Sequence, residues 1–124
     1  MTTITLEVPN AIVFVFDPSH PDIIIPEYIP GEVVASNPAC ISVATLPDAD
    51  GAVTLRLGVG SVDRSDPALK PVFDGALETP GGRVAIVTSD SRPVLEQAVN
   101  GPTTGLTIAV DDTNSPGVIE VIVA

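Results

Sequence analysis

Proline is the residue that most limits how this chain can fold. The 124 residues include 13 prolines, and many of them stand one or two positions from a run of β-branched side chains. A proline inside a helix removes a backbone donor and clashes with the preceding turn. Only residues 89–99 have helical features, because a serine or aspartate precedes Pro93, which could occupy a first turn. The sequence therefore predicts at most one short helical turn.

Apolar residues recur instead with a period of two, as in strands that bury one face. Three further runs are apolar on both faces, which is typical of strands in the middle of a sheet; they are AIVFVF, RVAIVT and VIEVIV, at residues 11–16, 83–88 and 118–123. Turn signals such as IPGE, PDADG and TPGG separate the runs. We predict an all-β fold, a single-domain β-sandwich of about eight mainly antiparallel strands that spans residues 1–124.

Charge is the most unusual global property of the chain. Sixteen acidic residues face five basic ones, for a net charge of −11. Such a surface repels nucleic-acid phosphates and anionic lipids, so we expect no binding to nucleic acid or membranes. A partner protein with a basic face would be attracted instead. The alternative is that the excess acid only keeps an apolar domain soluble, and charge alone does not decide between the two.

The apolar runs and the cysteine content bear on the compartment. No run approaches the ~20 residues that cross a bilayer, and the stretch MTTITLEVPN has neither the basic start nor the cleavage site of a secretion signal. Cys40 is the one cysteine, which excludes a disulfide framework and fits a reducing compartment. We therefore expect a cytoplasmic protein.

The stretch LPDADGAVTL raises the question of a metal site. A calcium loop of the EF-hand type that began at Asp48 would need glycine at its sixth position and glutamate at its twelfth, where the chain has Val53 and Val59. Asp50-Gly51 is instead a dipeptide that supplies the left-handed backbone angles of a tight hairpin. We predict a hairpin turn here, with the carboxylates of Asp48 and Asp50 in solvent.

Other candidate catalytic arrangements are equally weak. The single histidine, His20, lies between two prolines in a loop, and the GVGS stretch lacks the strand-turn-helix setting of a hydrolase nucleophile. No glycine-rich stretch is followed by the Lys-Ser or Lys-Thr pair of a phosphate-binding loop. The sequence predicts no enzymatic activity, no catalytic or metal-binding residues and no cofactor. A glycosidase-like or metal-dependent site built from distant loops is the enzymatic alternative.

The order and spacing of several stretches resemble the competence protein J family of small β-sandwich proteins. These stretches are FDPSHPD, ACISVATLPDADGAVTLRL, DPALKPVFDGALETPGGRVAIVTSD and GPTTGLTIAVDD. The likeness covers most of the chain. One departure is that the family tends to carry a tryptophan before its Ser-Val strand, where this chain has VVASNPAC.

The resemblance implies an inhibitor, since founding members of that family are similar to partners that bind and silence a DNA-entry nuclease. A nuclease cleft is basic because it holds phosphates, and an acidic protein can fill it as a mimic of the nucleic-acid backbone. Alternate loops of a sandwich gather at one end. The candidate partner-binding residues are four pairs of loop acids: Asp17 and Asp22, Asp48 and Asp50, Asp63 and Asp66, Asp111 and Asp112.

A second hypothesis is a structural or self-assembling protein that forms a homo-oligomer through an exposed strand edge. The two candidate edges are TITLEV, at residues 3–8, and VIEVIVA, at residues 118–124. On this hypothesis a charge introduced at Ile122 abolishes the oligomer.

Overall fold

The computed structural model describes residues 1–27, 29–60 and 67–124. In these ranges the chain forms ten strands: β1 (Thr2–Leu6), β2 (Ile12–Phe16), β3 (Val34–Asn37), β4 (Cys40–Ala44), β5 (Val53–Val59), β6 (Lys70–Glu78), β7 (Arg83–Thr88), β8 (Pro93–Ala98), β9 (Thr103–Val110) and β10 (Val118–Val123). The helical structure found there consists of two 3-10 turns, Pro9–Ala11 and Asp48–Asp50. No helix in the described ranges is long and apolar enough to span a membrane.

The strands form two five-stranded sheets. Sheet A has the order β1-β5-β10-β9-β6, and sheet B has the order β3-β4-β2-β7-β8. Among the described strands, β5 and β10 form the one parallel pair, and the remaining neighbours are antiparallel. The predicted all-β, mainly antiparallel sandwich is confirmed, with ten strands where the sequence suggested about eight.

The core lies between the two sheets and consists of the alternating side chains that face inward. Val13 and Val15 of β2 and Leu55 of β5 are fully buried, as are Ile108 and Ile119 from β9 and β10. Fully burying an aliphatic side chain of this size contributes about 1.5–3 kcal/mol to stability. The apolar side chains that recur with a period of two in the sequence are therefore the ones that face the core.

Strand β10 occupies the centre of sheet A, between β5 and β9. The prediction that VIEVIVA forms an exposed edge is wrong, because both of its long sides are paired and Ile122 is only 4% exposed. Its apolar character on both faces fits this central position. The other predicted edge, which includes β1, does lie at the border of sheet A.

The stretch around Asp48 joins the two sheets. Strand β4 belongs to sheet B and β5 to sheet A, so residues 45–52 cross from one sheet to the other and the predicted hairpin is wrong. The chain turns through the 3-10 turn at Asp48–Asp50, followed by Gly51 at φ 134°. The Asp-Gly dipeptide forms a turn, as its composition suggests. The strands that pair with β4 and with β5 determine which sheet each of the two joins.

Residues 89–99, the one candidate helix, contain strand β8 instead. Pro93 begins β8 at the edge of sheet B, where the ladder to β7 is irregular between Ile86 and Val87. An edge position at a bulge tolerates the missing backbone donor of proline. The segment is therefore extended, in keeping with the proline content of the rest of the chain.

The connections gather at two ends of the sandwich. The first end carries the β1–β2, β4–β5, β7–β8 and β9–β10 connections, residues 7–11, 45–52, 89–92 and 111–117. The second end carries the start of the β2–β3 connection and the β3–β4, β6–β7 and β8–β9 turns. The two ends lie at opposite tips of the strands, so residues at different ends do not share a surface.

Candidate partner-binding surface

Four of the predicted acidic residues meet at the first end. The backbone N–H of Leu46 donates to the carbonyl of Pro116 at 2.9 Å, which joins the β4–β5 connection to the β9–β10 loop. Asp48 and Asp50 lie on the first of these segments, and Asp111 and Asp112 lie on the second. All four side chains are exposed. The structure therefore places two of the four predicted pairs on one surface.

The β9–β10 loop fixes the positions of its two aspartates. Asp111 Oδ1 accepts hydrogen bonds from the backbone N–H groups of Gly117 at 2.9 Å and Val118 at 3.0 Å. Asp112 Oδ1 accepts from the N–H of Asn114 at 2.8 Å, a turn that aspartate commonly forms with its own loop. These contacts restrain the side chains, which reduces the conformational entropy that a binding event at this loop would cost.

Three further acidic residues belong to this end, and the sequence reasoning missed them. Glu7 follows β1, and Asp90 lies in the β7–β8 turn, which the Asn10 amide reaches by donating to the Ser89 hydroxyl at 2.8 Å. Glu32 lines a depression together with Thr113 and Asn114 of the β9–β10 loop. Their signal was weak because each stands alone in the sequence, without the paired spacing that marked the other candidates.

We call this surface the acidic end. Lys70, opposite Val110 in the ladder, and Arg92 are the exposed cations near it within the described residues. The hydroxyl of Thr88 donates to the Asp90 carboxylate and, helped by the charge of Arg92, holds the pKa of Asp90 below its ordinary value. Negative charge thus predominates; the acidic end consists of Glu7, Glu32, Asp48, Asp50, Asp90, Asp111 and Asp112.

Asp17 and Asp22 lie at the second end. Asp17 is fully buried, and its carboxylate accepts hydrogen bonds from the backbone N–H groups of Ser19 at 2.8 Å and Gly81 at 2.6 Å. Asp17 therefore joins two loops inside the protein and does not face solvent. Asp22 is exposed but far from the acidic end. The remaining predicted pair, Asp63 and Asp66, lies outside the described residues.

His20 has a structural role at the second end. Its Nδ1 accepts a hydrogen bond from the backbone N–H of Asp22 at 3.0 Å, and its Nε2 lies 3.0 Å from a carboxylate oxygen of Glu78. In this arrangement the proton is on Nε2, which donates to Glu78. The nearby hydroxyl of Ser19 accepts from Arg83 at 3.0 Å. The imidazole thus fixes a loop and is not aligned with that hydroxyl.

Two other potential sites of chemistry have an equally structural setting. Burial raises the pKa of the Cys40 thiol to about 12, so the thiolate needed of a nucleophile is not formed at neutral pH. In the part of the chain that the structure describes, no group of three or more His, Cys, Asp or Glu side chains is arranged to hold a metal ion.

Comparison with known proteins gives one informative match. No protein-family model matches the chain, and no curated protein matches its sequence. The crystal structure of ComJ from Bacillus subtilis, described as an inhibitor of the DNA-degrading activity of NucA, superimposes with a TM-score of 0.71 at 11% sequence identity. The match covers 99% of this chain and 94% of ComJ. The resemblance to the competence protein J family is thus confirmed as a structural relationship: over nearly its whole length this chain has the fold of ComJ.

Proposed function

We propose that this protein is a non-enzymatic, acidic protein-binding module that inhibits a basic partner enzyme. The observation that carries the proposal is the acidic end, where exposed carboxylates from several loops form one surface. The fold likeness to ComJ supports a nuclease as the class of partner, since ComJ is described as an inhibitor of DNA degradation. The lone buried thiol suits a reducing compartment, so we place the module in the cytoplasm.

Electrostatic complementarity explains how such a surface would inhibit. A nuclease holds the phosphates of its substrate in a positively charged cleft, and carboxylates at fixed positions present that cleft with an alternative set of anions. Opposite potentials also accelerate encounter, most strongly at low ionic strength. The proposal therefore requires no chemistry from this chain. It requires only that the carboxylates be exposed and held, as those of Asp111 and Asp112 are.

The position of each acidic residue supports our choice of the residues that contact the partner. Asp48, Asp50, Asp111 and Asp112 keep the role that the sequence suggested, and the rest of the acidic end joins them. Asp17 is left out because it is buried, and Asp22 because it lies at the opposite end. A role for Asp63 and Asp66 stays a prediction.

The proposal is tested by recovering a partner and measuring its inhibition. The immobilised protein is incubated with native extract at low salt, the bound proteins are eluted by raising the salt, and purified candidates are assayed for DNA degradation. The active nuclease is then titrated with the wild-type protein and with the triple variant Asp48→Asn, Asp50→Asn and Asp112→Asn. We expect the triple variant to inhibit roughly tenfold more weakly, because three charge contacts are lost.

A matched control separates the location of the charges from their number. The variant Asp22→Asn, Asp74→Asn and Glu96→Gln removes the same charge from exposed positions elsewhere and is expected to inhibit like the wild type. Equal weakening by the two variants would show that net charge alone acts. Recovery of no enzyme that the protein inhibits would overturn the proposal.

A further inference from the structure

We propose that two copies of this chain form a dimer by antiparallel pairing of their β1 strands. The proposal begins with the edges of the two sheets, which are β1 and β6 in sheet A and β3 and β8 in sheet B. An edge strand exposes unpaired backbone groups that can pair with another chain. Proteins commonly block such edges with bulges, prolines, charged side chains or short strands.

The side of the sandwich formed by β3 and β6 is blocked in several of these ways. Strand β6 has a register shift between Pro71 and Phe73 and carries the charges of Lys70 and Asp74. Strand β3 is only four residues long. The backbone N–H of Glu78 also donates to the carbonyl of Pro38 at 2.8 Å, which joins this side across the two sheets.

Strand β8 is also protected. It begins with Pro93 and has a register shift against β7. Its exposed Glu96 is held by Arg83, whose guanidinium nitrogen lies 3.3 Å from a carboxylate oxygen. Another strand that approached β8 would meet an irregular ladder and a charged side chain. Three of the four edges therefore carry a feature that opposes pairing.

Strand β1 carries none of these features. Its five residues, Thr2–Leu6, contain no proline and no charge, and they pair with β5 in an unbroken register from Thr2 to Leu6. Thr3 and Thr5 point away from the core, whereas Ile4 and Leu6 pack against it and remain partly exposed. Among the described residues no strand pairs with the outer side of β1, which thus offers a regular row of backbone groups and some uncovered apolar surface.

The sequence of β1 is compatible with pairing to itself. In an antiparallel pair centred on Ile4, Thr3 lies opposite Thr5 of the second copy, and Thr2 lies opposite Leu6. Cross-strand threonine pairs stabilise sheets, and one already links β1 to β5, where the hydroxyl oxygens of Thr5 and Thr54 are 3.1 Å apart. The dimer would extend this row of threonines across the joined sheets and would cover more of Ile4 and Leu6.

Charge also favours this edge for a chain with a net charge of −11. Glu7, which carries a carboxylate, directly follows β1 in the sequence. In the same register it lies opposite Met1 of the second copy, and the two Glu7 residues are roughly six positions, or about 20 Å, apart along the strands. That distance is more than twice the Debye length of about 8 Å at physiological ionic strength. The two Glu7 carboxylates are therefore too far apart to oppose pairing of the β1 strands.

Sedimentation velocity from micromolar to near-millimolar protein tests the proposal, with a reversible monomer–dimer equilibrium as the expected result. The variant Thr3→Lys with Thr5→Lys places like charges opposite each other at two positions and is expected to raise the dimer dissociation constant at least about tenfold. Its added positive charge lowers the overall repulsion between copies. Weaker association would therefore reflect the strand pair itself.

A complementary variant fixes the register. Thr3→Glu with Thr5→Glu is also expected to be monomeric alone, whereas an equimolar mixture of the lysine and glutamate variants is expected to form a heterodimer. Circular dichroism establishes that each variant is folded. The control Ala76→Lys with Ala98→Lys adds the same charge to exposed positions on β6 and β8 and is expected to dimerise at least as well as the wild type.

Two outcomes overturn the inference. A wild-type protein that is monomeric at every concentration shows that β1 does not pair with itself. Folded lysine and glutamate variants that do not associate with each other, while the wild type dimerises, place the interface elsewhere. Neither result bears on inhibition of a nuclease, which is measured separately at the acidic end.

Discussion

The carboxylate of Asp17 and the backbone nitrogen of Gly81 are 2.6 Å apart, although 64 positions separate them in the chain. Asp17 directly follows β2 of sheet B, and Gly81 lies in the turn that leads from β6 of sheet A to β7 of sheet B. The N–H of Ser19 donates to the same carboxylate. One buried side chain therefore positions two loops at the second end.

Replacing Asp17 with alanine is expected to lower the free energy of unfolding by about 2–3 kcal/mol, because two backbone donors lose a charged acceptor in a buried setting. Urea denaturation measures this change. Asp22→Ala, at an exposed position in the same loop, is the control and is expected to change stability by less than about 0.5 kcal/mol. Equal losses in the two variants would contradict a bridging role for Asp17.

Gly81→Ala is expected to destabilise the same junction for a steric reason. A methyl group there would overlap Ser19 Cβ and would lie 2.9 Å from Asp17 Oδ1, and relieving such an overlap costs about 1–3 kcal/mol. At Gly31 a methyl group would meet no atom of the described residues within 4 Å, and the φ of +84° disfavours alanine by about 1 kcal/mol. Thermal unfolding of the two alanine variants tests this expectation. A smaller loss of stability in the Gly81 variant than in the Gly31 variant would contradict it.

Asp111 allows its structural and electrostatic roles to be separated. Asp111→Asn keeps an oxygen that accepts from Gly117 and Val118, so we expect a stability change below about 0.5 kcal/mol and weaker inhibition of the partner enzyme. Asp111→Ala removes the acceptor. In addition to inhibiting more weakly, it is expected to lower the free energy of unfolding by about 1–2 kcal/mol. Urea denaturation and inhibition assays on both variants check this. An asparagine variant as unstable as the alanine variant would argue against the hydrogen-bonding role.

Cys40 predicts a specific pH dependence. Burial raises the pKa of its thiol from 9.0 to about 12, so between these values the unfolded chain releases a proton that the native state keeps. The stability attributable to this group is intact below pH 9 and declines as the pH rises toward 12, by at most about 1.4 kcal/mol per pH unit. Cys40→Ala is expected to show a flatter alkaline decline in urea denaturation. If the free energy of unfolding fell with pH in parallel for the wild type and the variant, a contribution of the thiol to the alkaline decline would be excluded.

The local pattern of the sequence predicted strands well and their partners poorly. The apolar run at residues 11–16 forms β2, which lies between β4 and β7 inside sheet B, with one face buried and the other partly buried. The same run-based reasoning at residues 118–123 suggested both a central strand and an exposed edge, and only the pairing of β10 with β5 and β9 decided between them. Which strands become neighbours depends on contacts between residues that are far apart in the sequence, and a short stretch of sequence does not contain them.

The candidate acidic residues show the same limit. Asp-Pro at residues 17–18 marks a turn, and turns are usually exposed, yet Asp17 is buried because Gly81 and Ser19 supply donors to it. Asp48 and Asp111 were correctly expected in exposed loops, but their meeting at one end follows from the crossing of residues 45–52 between the sheets. Turn composition shows that an acidic residue lies on a loop, but it does not determine which end of the sandwich carries that loop.

The parallel pair formed by β5 and β10 has a consequence for the order in which the protein folds. Strand β10 alone connects the β1–β5 pair to the β9–β6 pair, and its partner β5 was synthesised some sixty residues earlier. Until Val118–Val123 leaves the ribosome, β5 and β9 each present an unpaired side to the surroundings. Sheet A therefore closes late and through distant contacts, which slows folding and prolongs exposure to aggregation. A chaperone that protects the nascent chain would act in that interval.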